Sequence, residues 1–160
     1  MWTNVTDEDI EKAVQTLRLL HLEALADRPF YALSGGQRRM VDVAQTLVRD
    51  PRILIMDEPT ANLDLVNELQ VLELVKAYTR QKNTATLLTM HDLNMAARYA
   101  DRLVLLKDGY VYREGPPAAV ITEENIREAY GVEVHVHTSS RTGTPMLLPL
   151  AAVRKTDYVF

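Results

Sequence analysis

The sequence contains no cysteine among its 160 residues. A disulfide framework is therefore excluded, and a reducing compartment such as the cytoplasm is the default expectation. An excess of basic residues is also absent, since Asp and Glu number 22 against 18 for Lys and Arg. A charge balance of this sign gives no electrostatic support to phosphate-backbone binding. We therefore predict no nucleic acid partner.

Long hydrophobic runs are absent as well. No apolar run approaches the roughly 20 residues that span a bilayer, and the N-terminus lacks a basic region followed by an apolar core. Any membrane contact is therefore expected to be made through a partner protein. The hydrophobic content of 47% is ordinary, and the length suits one globular domain with a core.

The most informative stretch runs from Leu33 to Asp64, and its first part is a glycine-rich helix start. Ser34 is a good N-cap, and it is followed by Gly35, Gly36 and Gln37. Two glycines behind a cap leave the backbone N–H groups of a helix N-terminus uncovered. Such an end can bind an anion, so we predict a phosphate site there.

The second part of the stretch is a short strand that ends in acids. The apolar residues 53–56 run straight into Asp57 and Glu58. This pattern predicts a buried parallel strand that delivers two carboxylates to its carboxyl edge, where open α/β sheets place their ligands. Two adjacent acids at that edge suggest a metal ligand and a general base.

The rest of the chain alternates helical and strand patterns, which predicts an α/β fold with a mostly parallel sheet and flanking helices. Residues 7–20 are expected to form an amphipathic core helix. The dipeptide Asp108-Gly109 predicts a hairpin turn, and alternation over 132–136 predicts a half-buried strand that pairs with 146–150. The predicted helix N-caps are Thr6, Asp64, Asp92 and Thr122.

Four features of the sequence occur in a fixed order and spacing. They are Leu-Ser-Gly-Gly-Gln, a strand ending in Asp-Glu-Pro-Thr, a Leu-Asp pair and a later His. In this combination the sequence resembles the ATP-binding cassette (ABC) ATPases. The resemblance covers nearly the whole chain. It implies a P-loop NTPase fold that lacks its N-terminal part, with residues 1–160 as one partial domain. About 1–50 would be a remnant of the helical subdomain with the signature, about 51–115 the catalytic core, and about 116–160 a C-terminal extension.

A Gly-x-x-x-x-Gly-Lys-Ser/Thr loop, which holds the β and γ phosphates of a nucleotide, is missing from the sequence. In the family this Walker A loop precedes the signature, so we expect a fragment or an interrupted reading frame rather than a complete subunit. The family's Walker A strand lies between the strand ending at His91 and the strand starting near Leu103. We therefore expect exposed strand edges, self-association and no activity in the isolated chain.

The resemblance also implies roles for single residues, with ATP and Mg²⁺ as cofactors. Asp57 matches the Walker B aspartate that holds magnesium, and Glu58 matches the general base. His91 matches the switch histidine that contacts the γ phosphate and positions the base. Asp64 lies in the loop that communicates across the dimer. Residues Ser34 to Gln37 match the signature, which closes on ATP held by the opposite subunit.

Residues 91–102, 107–109 and 126–132 resemble the ATPases of importers for iron-siderophore complexes, haem and cobalamin. This resemblance implies a second ABC ATPase subunit, as a homodimer, and a membrane permease, at the cytoplasmic face of the cell membrane. Two other interpretations stay open. The chain could be a non-catalytic fragment or regulatory half that supplies only its signature in trans, or a soluble ABC ATPase of DNA repair or translation.

Overall fold

The computed structural model describes residues 5–153, which form two compact units. The first unit runs to Thr89 and the second begins at Met90. The sequence predicts three parts instead, with boundaries near residues 50 and 115. That three-part division stays a prediction.

The first unit combines α-helices with a parallel pair of strands. Its elements are α1 (Asp7–Leu19), α2 (Gly35–Leu47), β1 (Ile53–Met56), α3 (Leu65–Lys82) and β2 (Ala85–Leu88). Short 3-10 helices at Glu23–Leu25 and Phe30–Ala32 connect α1 to α2. The strand–helix–strand order of β1, α3 and β2 gives the parallel pairing, with Ile53 opposite Ala85.

The core of the first unit lies between α2, α3 and β1. Its buried side chains include Met40, Val43, Leu47, Leu54, Met56, Val71, Val75 and Tyr78. Helix α1 reaches this core only at its C-terminal end, where Leu17, Leu19 and Leu20 pack. Ile10 is 54% exposed, so the expectation of a core helix is wrong for the first turns of α1.

One face of the β1–β2 pair is apolar and exposed. Ile53, Ile55 and Leu87 are 66%, 70% and 57% exposed, whereas Leu54 and Met56 are buried. Successive residues of a strand point to opposite faces, so one face packs against the helices and the other stays open. The exposed strand edges and the self-association expected from the sequence stay predictions.

Tyr78 of α3 joins that helix to the end of α2. Its side chain is buried, and its hydroxyl donates to the Asp50 carboxylate at 3.1 Å. Burial, followed by the bond to Asp50, raises the pKa of Tyr78 to about 12 from its ordinary value of 10.0. The neutral hydroxyl is therefore the form that the folded chain stabilises.

Tyr78→Phe is expected to lower the free energy of unfolding by about 1 kcal/mol at pH 7, because one hydrogen bond to a carboxylate is lost. A raised pKa contributes stability below pH 10 that is lost as the pH rises to about 12. The wild-type protein should therefore lose more stability than the variant across this window. Urea unfolding of the purified protein at several pH values measures the difference. Tyr31→Phe, at an 81% exposed side chain, is the control; equal alkaline losses in wild type and Tyr78→Phe would contradict the prediction.

The second unit contains short helices and antiparallel hairpins. Its elements are α4 (Leu93–Tyr99), β3 (Leu103–Lys107), β4 (Tyr110–Gly115), α5 (Pro117–Val120), α6 (Glu123–Tyr130), β5 (Val132–Thr138) and β6 (Pro145–Ala152). Strand β3 pairs with β4 and β5 pairs with β6. Within residues 5–153, parallel pairing is confined to β1 and β2. The core of this unit is built around Ala97, Ile121, Ile126 and Val134.

Local signals of the second unit are confirmed. Asp108 and Gly109 both have positive φ, 51° and 81°, as a type I′ hairpin turn requires. Asp92 caps α4 and Thr122 caps α6, each through its side-chain oxygen. Gly131 ends α6 in the left-handed conformation, with φ of 66°.

Asn94 fixes helix α4 to the C-terminal hairpin. Its Nδ2 donates to the Leu147 carbonyl at 3.2 Å, and its Oδ1 accepts from the Leu147 N–H at 2.8 Å. The side-chain amide thereby satisfies a strand edge as a neighbouring strand would. The helix that follows His91 is thus held against β6 by hydrogen bonds between the Asn94 side chain and the β6 backbone.

Candidate functional site

The signature turn begins helix α2 through a reciprocal pair of hydrogen bonds. The Gln37 backbone N–H donates to Ser34 Oγ at 3.2 Å, and the Ser34 N–H donates to Gln37 Oε1 at 3.0 Å. This is a capping box, and it satisfies two backbone donors near the helix start. Gly35 has no atom within 4 Å of where a Cβ would stand. The start of α2 is therefore open to an incoming group beside Gly35.

A groove of about 410 Å³ separates this turn from the loop that precedes α3. Asn67 lines this groove, and a Cβ on Gly36 would lie 2.5 Å from the Asn67 amide carbon. The same amide donates to Asp64 Oδ2 at 2.7 Å. Asn67 thus connects the predicted signature to the predicted dimer-communication residue Asp64, and a Cβ at position 36 would require the Asn67 amide to move.

Asp64 is fixed as the N-cap of α3, as the sequence predicts. Its Oδ1 accepts from the Asn67 backbone N–H at 2.9 Å. This bond, together with the Asn67 side-chain bond, holds the pKa of Asp64 below its ordinary value. Asp64 is therefore an anion that lines the groove.

The strand β1 ends at the two predicted acids, and Thr89 at the end of β2 contacts both. Thr89 Oγ1 donates to the Asp57 carboxylate and accepts from the Glu58 backbone N–H at 2.9 Å. The Thr89 N–H in turn donates to the Met56 carbonyl at 3.1 Å. The parallel pair of strands therefore presents both acids at one carboxyl edge, as the sequence predicts.

Glu58 adopts a left-handed backbone conformation, with φ of 45°. Such a conformation is strained in a residue with a Cβ, and it persists where the surroundings fix it. The Glu58 carbonyl accepts from the Ala61 N–H at 3.1 Å and from Arg39 Nη2 at 2.9 Å. Arg39 lies on α2, so the signature helix directly contacts the backbone of the predicted base.

The donor set at the strand end suits a magnesium ion. Asp57 is an exposed carboxylate, and Mg²⁺ is usually bound by one or two carboxylates with water and phosphate oxygens completing its shell. Within residues 5–153 no three His, Asp or Glu side chains gather into a group that could hold a metal. The Asp57 carboxylate is the chemical type of ligand that Mg²⁺ takes, and its role as the magnesium ligand stays a prediction.

His91 belongs to the second unit, where it precedes the α4 cap Asp92. Its predicted contact with a γ phosphate and with Glu58 stays a prediction. The other predicted site residues, Ser34 to Gln37, Asp57, Glu58 and Asp64, all lie in the first unit.

Three contact residues, Arg39, Asn67 and Thr89, lie outside the motifs that the sequence presents. The signals that could have found them are weak: Arg39 lies two residues after the signature, Asn67 three residues after Asp64, and Thr89 two residues before His91.

Comparisons with known proteins address this combination of signature turn and acidic strand end. A family model described as ABC transporter matches residues 1–61. An uncharacterized ABC transporter ATP-binding protein of Methanocaldococcus jannaschii is 43% identical over 146 residues, which are 91% of this chain and 56% of that protein. The chain belongs to the ABC ATPase family. The hemin import ATP-binding protein of Rhodococcus jostii is 41% identical over 90% of this chain and 49% of that protein.

Further ABC relatives are named as siderophore, iron-hydroxamate and cobalamin transport ATP-binding proteins. This ABC chain is also similar to a solved structure described as an inward-facing, putative metal-chelate type ABC transporter. The TM-score is 0.80 at 27% identity, and the match covers 94% of this chain and 61% of that one. These comparisons confirm the P-loop NTPase fold expected from the sequence.

The chain spans about half the length of the curated ABC relatives that it matches. In the part of the chain described, none of the helices combines the length and the apolar character needed to cross a membrane.

Proposed function

We propose that this chain is part of the ATP-binding and ATP-hydrolysing subunit of an ABC importer for an iron-siderophore complex, haem or cobalamin. The observation that carries the proposal is the first unit, in which a glycine-rich helix start and a strand ending in two carboxylates are joined by direct contacts. Family membership supports it, because the chain matches ABC relatives over about nine tenths of its length.

In this proposal the signature turn, Ser34 to Gln37, binds ATP that is held by a second ABC subunit. The N–H groups at the start of α2 and its helix dipole favour a phosphate there. Asp57 would hold Mg²⁺, which would neutralise negative charge on the phosphates of the nucleotide. Asp64 lies in the loop that communicates between the two subunits of the dimer.

Glu58 acts as the general base in the proposed reaction. Its carboxylate accepts a proton from the attacking water, and a group in this role must stand within hydrogen-bond reach of that water. His91 contacts the γ phosphate and keeps Glu58 oriented. The chain thus supplies its signature to one nucleotide and its acids to another.

The proposed partners are a second ABC subunit, in a homodimer, and a membrane permease at the cytoplasmic face of the cell membrane. Relatives named for hemin, siderophore and cobalamin transport support a metal-chelate substrate. The resemblance of residues 91–102 to such importers supports the same class. The permease and its binding protein would select among the three substrates.

The test begins with tagged protein purified in mild detergent from the membranes of the organism that encodes it. We expect a permease to co-purify and the complex to hydrolyse ATP in the presence of Mg²⁺. We also expect deletion of the gene to abolish uptake of one labelled compound among a ferric siderophore, haem and cobalamin. Isolation without a permease, together with unchanged uptake of all three, would overturn the proposal in favour of a soluble ABC protein.

A further inference from the structure

Arg39 makes the contact in the first unit that bears most directly on Glu58. Its Nε donates to the Pro59 carbonyl at 2.8 Å, and its Nη2 donates to the Glu58 carbonyl at 2.9 Å. A guanidinium presents its donors in a planar fork, so both bonds form in one fixed orientation. The guanidinium donates to backbone carbonyls and therefore restrains the path of the chain at the end of β1.

The backbone of Glu58, which these bonds hold, is strained. Glu58 has φ of 45°, a left-handed conformation that is unfavourable for a residue with a Cβ. Its N–H donates to Thr89 Oγ1 and its carbonyl accepts from Arg39, so both backbone polar groups are held from outside the loop. Release of either group would let the loop relax toward unstrained conformations and move the carboxylate.

The neighbouring arginine serves a different segment. Arg38 donates through Nε to the Leu33 carbonyl at 3.0 Å and through Nη2 to the Tyr31 carbonyl at 2.9 Å. The two side chains thus extend from adjacent positions of α2 in different directions. Arg38 holds the approach to the signature, and Arg39 holds the loop after β1.

We propose that Arg39 is a positioning residue for the general base: it ties the signature helix to the Glu58 backbone and keeps the carboxylate in its reactive place. This inference rests on the proposed function. Arg39 touches neither the reacting water nor a phosphate in this role, and its effect on turnover passes through Glu58.

The first arm of the test measures turnover in the native complex isolated from membranes. Arg39→Ala is expected to lower kcat for ATP hydrolysis about tenfold with little change in KM, because hydrogen bonds from a charged donor are lost at the base and not at the nucleotide. Arg39→Lys, which keeps one charged donor, should recover part of the loss. Arg127→Ala, which removes an exposed ion pair with Glu133 in the second unit, is the control.

A double variant separates a positioning role from a general structural one. If Arg39 acts through Glu58, Arg39→Ala should have no further effect on the residual rate of a Glu58→Gln complex. A tenfold loss that persists in the Glu58→Gln background would overturn the inference. So would a rise in KM with unchanged kcat, which would place Arg39 at the nucleotide.

The second arm needs no catalysis. Hydrogen exchange of the native complex, read by mass spectrometry, should show the Glu58 and Ala61 amides exchanging about tenfold faster in Arg39→Ala, while the 71–78 segment of α3 is unchanged. Unchanged exchange at 58–61 would overturn the inference. A complex without Glu58-dependent hydrolysis but with faster exchange at 58–61 would instead contradict the proposed function and leave the contact in place.

Discussion

Replacement of Gly36 by alanine is expected to destabilise the protein by about 1–2 kcal/mol, because the hydrogen bond of Asn67 to a carboxylate that must be given up outweighs the helix propensity that alanine gains. In an ordinary helix the same change is favourable by roughly 0.5–1 kcal/mol. Here the new Cβ would stand 2.5 Å from the Asn67 amide carbon and nitrogen. That amide is held by Asp64 Oδ2 at 2.7 Å, so it can move away only by giving up this bond. A loss of stability in Gly36→Ala, where an ordinary helix would gain stability, is therefore the effect expected from the Asn67 contact.

Thermal and urea unfolding of the purified protein measure this effect. The matched control is Gly35→Ala, because no atom lies within 4 Å of that added Cβ; its change should stay within about 0.5 kcal/mol. In a double variant, Asn67→Ala removes the obstructing amide, and Gly36→Ala should then cost nothing beyond Asn67→Ala alone. Simple addition of the two single costs would show that the amide is not the cause.

The parts of the site that were predictable are those fixed by short-range chemistry. Ser34 and Asp64 were predicted as N-caps, and each forms its bond to a backbone N–H three residues further on. The same holds for the hairpin at Asp108-Gly109, where two positive φ angles demand such residues. In these cases the residue that acts and the group it acts on lie within one turn of chain.

Long-range contacts to backbone carbonyls could not be predicted in this way. Arg39 binds carbonyls 19 and 20 residues further along the chain, and Thr89 meets Asp57 from 32 residues away. A carbonyl is present at every residue, so the sequence carries no mark of which one is chosen. The left-handed conformation of Glu58 was equally hidden, because it arises from these contacts and not from local preference.

Periodicity predicted which residues share a face, but not what covers that face. The helical pattern of α1 is correct, yet Ile10 is 54% exposed because the helix meets the core only near Leu20. Likewise, the strand β1 was predicted to be buried, and its outward residues Ile53 and Ile55 are exposed. Burial depends on the neighbouring element, and that is a property of the tertiary arrangement.

Glu58→Gln is expected to lower kcat for ATP hydrolysis by the native complex by a factor of about 10²–10⁴. The glutamine amide keeps the size of the side chain but cannot accept a proton from water. Because Arg39 and Thr89 bind the Glu58 backbone, the loop should keep its conformation in the variant. Nucleotide binding and thermal stability should therefore be unchanged, so that the loss is confined to turnover.

A steady-state ATPase assay, together with a measurement of nucleotide binding, tests whether Glu58 is the general base. Glu114→Gln, an exposed acid that pairs with Arg102 at 3.5 Å in the second unit, is the matched control and should hydrolyse ATP within about twofold of wild type. Unchanged kcat in Glu58→Gln would contradict the assignment of the base. If Glu58→Gln left kcat unchanged while Ser34→Ala abolished hydrolysis, the chain would supply only its signature, and the reacting water would be activated by a carboxylate of the second subunit.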